Sequence, residues 1–331
     1  MRKILLTGCS GFVARHYLDL LKDNNEDVKV LGVDIKPPAF VDRDFSDIFE
    51  YRSLNLLEKD EVEKLILNFG PTDVLHLAAF SSVKYSWEYP AECFQNNTSV
   101  FLSVVEAVRK LNGITGKSCR ILSVGSSEIY GDVKEDMIPL KEDMEIHPLN
   151  PYAIAREAQE ALSKVYAEHF DVDIILTRSF NHMGPGQDSR FVIPGFLDRI
   201  MALRLPHGGK GDREAVDEVV SGTIETGDVS IIRDFLDVRD VVRAYDILLK
   251  QGKPGEIYNI CKGEGVSLRE VIDVMGNLLN IKVTPEVNPE FVRPDDNHII
   301  IGSPDKIFKD TGWKAEIPLE KTIKDMITER R

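Results

Sequence analysis

"LLTGCSGFVAR", residues 5–15, decides the fold. A short apolar run ends at a glycine, and a helical pattern begins at Phe12. Gly8 permits the tight turn that ends a strand. Gly11 allows the helix N-terminus to approach an anion such as a pyrophosphate closely, where unpaired N–H groups and the helix dipole favour negative charge. Ala14 is small enough for close packing of helix on strand. Glycines occur in many strand–helix turns, so the weight of this reading comes from its surroundings.

Working outward, the next apolar run, "VKVLGVD" (28–34), ends at Asp34. A carboxylate there can accept both ribose hydroxyls of an adenosine and would repel a 2′-phosphate. NAD is therefore favoured over NADP; Lys36 nearby weakens the preference, and NADP remains possible. "DVLHLAA", "CRILSVG" and "VDIILTR" continue the series of strands apolar on both faces. Between them "FVARHYLDLLK", "EVEKLILNFG", "SVFLSVVEAVRKLN" and "YAIAREAQEALSKVYAEHF" carry apolar residues at helical spacing. Such alternation predicts an α/β fold, a Rossmann-type doubly wound parallel sheet covered on both faces. Ligands then bind at the carboxyl ends of the strands.

After residue 180 the pattern changes. "NHMGPGQDS" reads as a loop. "RFVIPGFLDRIMALRL" reads as a helix that Pro194 could break. "PHGGKGDREAVDEVVSGT" (206–223) reads as a polar flexible loop, "VRDVVRAYDILLK" and "SLREVIDVMGNLLN" as helices, and "EIYNI" as a strand. These elements predict a smaller mixed α/β C-terminal substrate lobe beside the sheet. The division is 1–180 for dinucleotide binding and 181–331 mainly for substrate, with segments at about 225–260 returning to the first body.

The 331 residues include 41 basic and 55 acidic ones, a net charge of −14, which argues against nucleic acid or an anionic membrane as a partner. The 4 cysteines, Cys9, Cys93, Cys119 and Cys261, are scattered without metal-ligand spacing, so neither a zinc site nor a disulfide framework is expected. The apolar run near the start is only about four residues, too short for a signal-peptide core. No stretch approaches the roughly 18 apolar residues of a membrane span. A cytoplasmic setting is expected.

Two polar clusters carry the chemistry. "SVGSSEIYG" puts Ser126, Ser127 and Glu128 at the end of the fifth apolar run, on the same sheet edge as the glycine turn. "NPYAIAREAQE" (150–160) puts Tyr152 and Arg156 four residues apart, on one helical face. Interconversion of a ketone and an alcohol by hydride transfer needs a proton donor at the carbonyl oxygen. A phenol can serve if its ionisation is drawn from about 10 toward neutrality, a shift of about three units or 4 kcal/mol. A nearby cation favours the phenolate, and a serine can hold the oxygen by a second hydrogen bond.

In this order "TGCSGFVA", "HLAAFSSV", "GSSEIYG" and "PYAIAR" resemble the extended short-chain dehydrogenase/reductase superfamily. "RSFNHMGPGQ", "RDFLDVRDVVRAY", "YNICKGEGVSL" and "TGWKAEIPLEKTI" are similar to its nucleotide-sugar branch, and the likeness covers nearly the whole chain. Within that branch it is greatest to GDP-4-keto-6-deoxy-D-mannose reductases, with GDP-mannose 4,6-dehydratases as near relatives.

The resemblance implies an NAD(P)-dependent oxidoreductase acting at C4 of a nucleotide-linked hexose, GDP-linked because the GDP branch is the best match. A 4,6-dehydratase and a 4-epimerase are the alternatives. It implies catalysis by Ser126, Glu128, Tyr152 and Arg156. Cofactor contacts would come from Gly8, Gly11, Phe12, Val13, Asp34, Asn55 and Leu56, then from Leu77, Ala78 and Ala79, and from Tyr152 and Arg156. Ser81, Ser127, Asn181, Arg233 and Arg293 would bind substrate, the two arginines at its diphosphate, which a guanidinium fork suits.

Four departures from the family pattern stand out. Arg156 replaces a lysine, Asn55 replaces an aspartate, Val100 and Phe101 replace Gly-Thr after Asn97, and 206–223 is longer than the usual loop. A homodimer through helices near 92–110 and 152–170 is also expected. Val104, Val105, Val108, Ala158, Leu162 and Val165 exceed what one face can bury against a sheet, the resemblance implies the same contact, and two-fold pairing is the commonest oligomer.

Overall fold

The apolar runs become strands because residues apolar on both faces are stable only when covered on both sides. The computed structural model describes residues 1–39, 43–204, 220–292 and 297–330. Its strands are β1 (Arg2–Thr7), β2 (Val28–Asp34), β3 (Phe49–Ser53), β4 (Asp73–His76), β5 (Arg120–Ser126), β6 (Ile174–Ser179), β7 (Asn181–Met183), β8 (Val220–Thr226), β9 (Ile232–Asp237), β10 (Ile257–Ile260), β11 (Gly265–Ser267), β12 (Ile281–Val287) and β13 (Ile299–Ile300). Seven form one sheet in the order β10-β6-β5-β4-β1-β2-β3. Every pairing in it is parallel.

The helices are α1 (Phe12–Asp23), α2 (Lys59–Phe69), α3 (Val83–Glu88), α4 (Pro90–Phe94), α5 (Val100–Thr115), α6 (Pro151–His169), α7 (Val192–Ala202), α8 (Val238–Gln251), α9 (Leu268–Leu279), α10 (Asp305–Thr311) and α11 (Leu319–Glu329). Local chemistry sets their ends. Asn150 caps α6, accepting from Ala153 N–H at 2.8 Å, and Pro151 opens the helix where its missing N–H costs nothing. Ser267 and Glu270 form a capping box on α9. Gly70 and Gly116 end α2 and α5 in the left-handed conformation.

One apolar cluster buries Tyr17, Leu18, Val241, Tyr245 and Trp313 with the sheet, and another buries Val62, Ile66, Val104, Val108 and Ile174. A third joins α7, α9 and α11 to β8 and β12 through Phe196, Leu197, Ile272, Met275, Ile323 and Met326. β8 and β12 pair in parallel, and β9 pairs with β7, β11 and β13 in a second small sheet.

Four expectations change here. β3 was not foreseen: it is a charged, half-exposed edge strand without an apolar run. Pro194 does not break α7, because it lies in the first turn, where no intrahelical N–H bond is required. Residues 220–223 are strand, not loop, and 206–219 lie outside the described residues. Within about 225–260, α8 and β10 join the main sheet and its core, whereas Ile232–Asp237 stays in the second sheet. Ile307 and Trp313, much later in the chain, also enter that core.

The strand order reverses between β1 and β4. The chain runs outward through β2 to β3, then returns to β4 on the far side of β1. A crevice opens at the carboxyl ends of the strands at such a point.

Candidate active site

At the switch point Gly8 adopts φ +69°, and a Cβ there would lie 2.8 Å from the Ala78 amide nitrogen. The turn after β1 and the loop after β4 are thus pressed together, and only glycine fits. Ala78 N–H also donates to Thr7 Oγ1 at 3.2 Å. Gly11 is the N-cap of α1, with no side-chain cap and no acid in the first turn, so the amides of Phe12 and Val13 face outward from a helix start suited to an anion. This cradle fits a dinucleotide pyrophosphate.

Asp34 ends β2, half-buried, and its carboxylate accepts from Ser10 N–H at 3.1 Å and Lys36 N–H at 3.3 Å. Asn55 is exposed, and its Oδ1 accepts from Leu57 N–H at 3.0 Å, closing the turn into α2. Leu56 beside it is buried, while Leu77, Ala78 and Ala79 are partly covered. The loop they begin is clamped by Asn97, which is fully buried and bonds both Phe80 N–H (2.8 Å) and Phe80 O (3.1 Å). Asn97 sits in a π turn, Gln95–Ser99, a feature often found at functional sites. Sequence reading gave it no role; its only signal is the polar stretch "QNNTS" just ahead of the apolar run of α5. Val100 and Phe101, bulkier than the family's Gly-Thr, are buried against the sheet, with Phe101 edge-on to His76 at 5.5 Å.

Ser126 ends β5, 7% exposed, with Oγ accepting from Glu128 N–H at 3.2 Å. Ser127 is buried and Glu128 half-buried. Two contacts bring Tyr152 to this strand end. Asn150 donates to Glu128 Oε2 at 3.3 Å, and Arg156 Nη1 donates to Val124 O at 3.0 Å. They bracket Tyr152 in sequence and fix the first turns of α6 against the end of β5.

Tyr152 and Arg156 are each 6% exposed, so the pair is not a surface contact. The guanidinium carbon lies 5.3 Å from the Tyr152 ring centroid. Arg156 Nε has no hydrogen-bond partner among the described residues. Its charge is felt by neighbours: burial first, then Arg156, lowers His76 to about 3. The His76 imidazole, bonded to Thr7 Oγ1 at 3.0 Å, is therefore neutral at ordinary pH.

The substrate candidates are more dispersed. Ser81 and Asn181 are exposed, Asn181 at the start of β7, where the chain leaves the main sheet for the small one. Arg233 lies on β9, 8% exposed, with Nη1 donating to Ile232 O at 2.8 Å. Its neighbour Asp234 accepts backbone N–H bonds from Lys262, Gly263 and Gly302; burial nevertheless pushes its carboxyl up to about 6. Arg293 lies outside the described residues.

Residues 5–326 match the family described as GDP-mannose 4,6 dehydratase. The chain is 30% identical to a GDP-6-deoxy-D-mannose reductase of Pseudomonas aeruginosa, over 99% of this chain and 97% of that protein. A structure of RMD from Pseudomonas aeruginosa, complexed with NADPH, superposes with a TM-score of 0.81 at 28% identity, covering 99% of this chain and 98% of the other. A Thermus thermophilus UDP-glucose 4-epimerase in complex with NAD gives a TM-score of 0.79 at 25% identity, over 99% and 98% of the two chains. End-to-end matches in sequence and fold, together with the cradle at the switch point, lead to one conclusion: the chain belongs to the GDP-mannose 4,6 dehydratase family, in the extended short-chain dehydrogenase/reductase superfamily of NAD(P)-dependent nucleotide-sugar enzymes.

Proposed function

We propose that the protein reduces the 4-ketone of GDP-4-keto-6-deoxy-D-mannose. The observation that carries this reading is the buried Tyr152, held by Asn150 and Arg156 at the end of β5, the strand that Ser126 closes, in a chain matching a GDP-6-deoxy-D-mannose reductase throughout its length. When bound, the nicotinamide supplies the hydride that C4 receives. Tyr152 gives its hydroxyl proton to the sugar oxygen as charge develops there. Ser126 Oγ holds the same oxygen by a second hydrogen bond. The Arg156 cation stabilises the phenolate left behind.

A 4,6-dehydratase is the second reading: it needs an extra base, which Glu128, a half-buried carboxylate two residues after Ser126, can supply, although reductases of the family can carry this glutamate too. NMR of the products separates the readings. The purified protein is mixed with GDP-mannose and NAD, and separately with the 4-keto-6-deoxy sugar and NADH or NADPH. Reduction in the second mixture alone is the expected result. A 4-keto product in the first would make the enzyme a dehydratase.

Asp34 favours NAD over NADP in this reading, since its carboxylate would face a 2′-phosphate. Asp34→Ala is expected to narrow the ratio of affinities by about tenfold, or 1.4 kcal/mol. Titration of both cofactors into both proteins checks it, and tight NADPH with weak NADH binding to the parent protein would refute the assignment. Arg233 and Arg293 are assigned to the substrate diphosphate. Arg233→Ala should weaken nucleotide-sugar binding about tenfold or more and spare the cofactor; equal loss of both would mean the residue is misplaced.

A homodimer through α4–α6 completes the proposal, with a revised basis. Val104, Val105 and Val108 are fully buried within the chain itself, in the apolar cluster that α5 shares with the sheet and with α2. The exposed apolar residues of these helices are Phe94 (44%), Ile114 (67%), Ile154 (46%) and Val165 (43%), of which Val165 was expected, with Trp87 (60%) on the adjoining α3. Light scattering at micromolar concentration should give twice the 37.3 kDa chain mass. The four cysteines are buried and unbonded, and no described helix is long and apolar enough to cross a membrane. A reducing cytoplasm suits the first of these facts.

A further inference from the structure

Gln159 meets Arg156 one helical turn along α6: Arg156 Nη1 donates to Gln159 Oε1 at 2.8 Å. Gln159 is 1% exposed. Its amide nitrogen donates to Ser123 Oγ at 2.9 Å and to Val124 O at 3.3 Å. Ser123 Oγ in turn lies 3.0 Å from Ser163 Oγ, which donates to Gln159 O at 2.8 Å. The amide is thus held at both ends, in a place where a misplaced polar group would be costly.

What surrounds Arg156 is electrically neutral. Among the described residues no carboxylate pairs with it. The buried acid of the same helix, Glu160, is committed to Arg178 through two bonds of 2.9 Å. The titratable groups facing the guanidinium are Tyr152 on its own helix, His76 from β4, Cys93 from α4 and Tyr245 from α8. Burial keeps His76 deprotonated and raises the Cys93 thiol and the Tyr245 phenol, so none of these three carries a charge at neutral pH.

We infer that Gln159 is a positioning residue for the reaction: its amide oxygen fixes the Arg156 guanidinium beside Tyr152 and leaves the positive charge whole. This rests on the reading of Tyr152 as the proton donor. A glutamate would hold the guanidinium equally well, but its negative charge would cancel the field at the phenol. A methionine would keep the volume and the charge of Arg156 and lose the placement.

The test compares Gln159→Glu and Gln159→Met with the parent enzyme and with Tyr152→Phe. Melting temperature, cofactor affinity, kcat and KM are measured for each, and kcat is followed against pH in both reaction directions. Gln159→Glu is expected to bind cofactor normally, to lose about tenfold in kcat for sugar oxidation at neutral pH, and to shift its pH profile upward by about one unit. Gln159→Met is expected to lose a similar factor in kcat with a smaller upward move of the profile, since the charge of Arg156 stays and only its placement is lost. If the glutamate variant does not fold, the methionine variant carries the test, and a parent-like kcat overturns the inference. If both fold and keep the parent profile and kcat while Tyr152→Phe is inactive, Gln159 is only packing and the inference alone fails. A fully active Tyr152→Phe would instead overturn the reading of the site itself.

Discussion

Replacing Tyr152 with phenylalanine is expected to lower kcat by about a hundred- to ten-thousand-fold, the contribution of a well-placed proton donor. Little else should change. The side chain is 6% exposed in the first turn of α6, and phenylalanine keeps its ring and its packing. Folding and cofactor affinity should therefore stay near the parent values. Arg156→Lys is the companion variant. Arginine holds its charge over three nitrogens, whereas an ammonium concentrates it, so lysine should give unchanged or faster turnover with the pH profile lower. Steady-state rates across pH check both. Full activity in Tyr152→Phe would reduce the pair to a packing contact.

The largest effect on stability is expected at Arg178. This side chain is 2% exposed on β6 and forks onto Glu160 of α6, itself 7% exposed, with its guanidinium 4.8 Å from the Tyr130 ring centroid. Arg178→Leu leaves the Glu160 carboxylate buried with only the half-exposed Lys164 at 3.2 Å. Losing one partner of a buried pair costs about 3–5 kcal/mol. Joint replacement, Arg178→Leu with Glu160→Leu, should recover much of that loss, because no buried charge is left alone. Urea melts of the three proteins check this, and a single variant as stable as the parent would refute it. The pH dependence has a definite sign. Burial works to raise the Glu160 carboxyl, but Arg178 and Lys164 bring it below its ordinary value of 4.5. Its contribution is therefore present above about pH 4.5 and is lost as pH falls further through the folded value. Glu160→Gln should flatten that acid limb.

The sheet was legible wherever strands are buried on both faces. β1, β2, β4, β5 and β6 follow the apolar runs closely, since a covered parallel strand must be apolar throughout. β3 was not legible, because an edge strand such as "FEYRS" can stay charged. Nor was the pairing of β8 with β12, which joins segments far apart in the chain without a distinctive local pattern. The positions of Gly8, Asp34, Ser126 and Tyr152 in the fold could be read because turn geometry and element ends limit which residues fit. Gln159 and Asn97 could not: each acts through a side-chain bond to a partner that only the folded chain brings near, Arg156 in one case and Phe80 in the other. The spacing of Tyr152 and Arg156 was visible. That both are buried, with Arg156 reaching Val124 O, depends on how α6 sits on β5. The apolar residues of α5 misled, because a helix that packs on the sheet and also against α2 buries more than one face within its own chain.

Transfer of label from cofactor to sugar tests the central claim most directly. The purified protein is given the GDP-linked 4-keto-6-deoxy sugar and NADH or NADPH deuterated at nicotinamide C4, and the product is read by NMR. Reduction at C4 predicts deuterium on that carbon, with one cofactor oxidised for each sugar reduced. A product without deuterium at C4, or conversion without net consumption of the reduced cofactor, would contradict it.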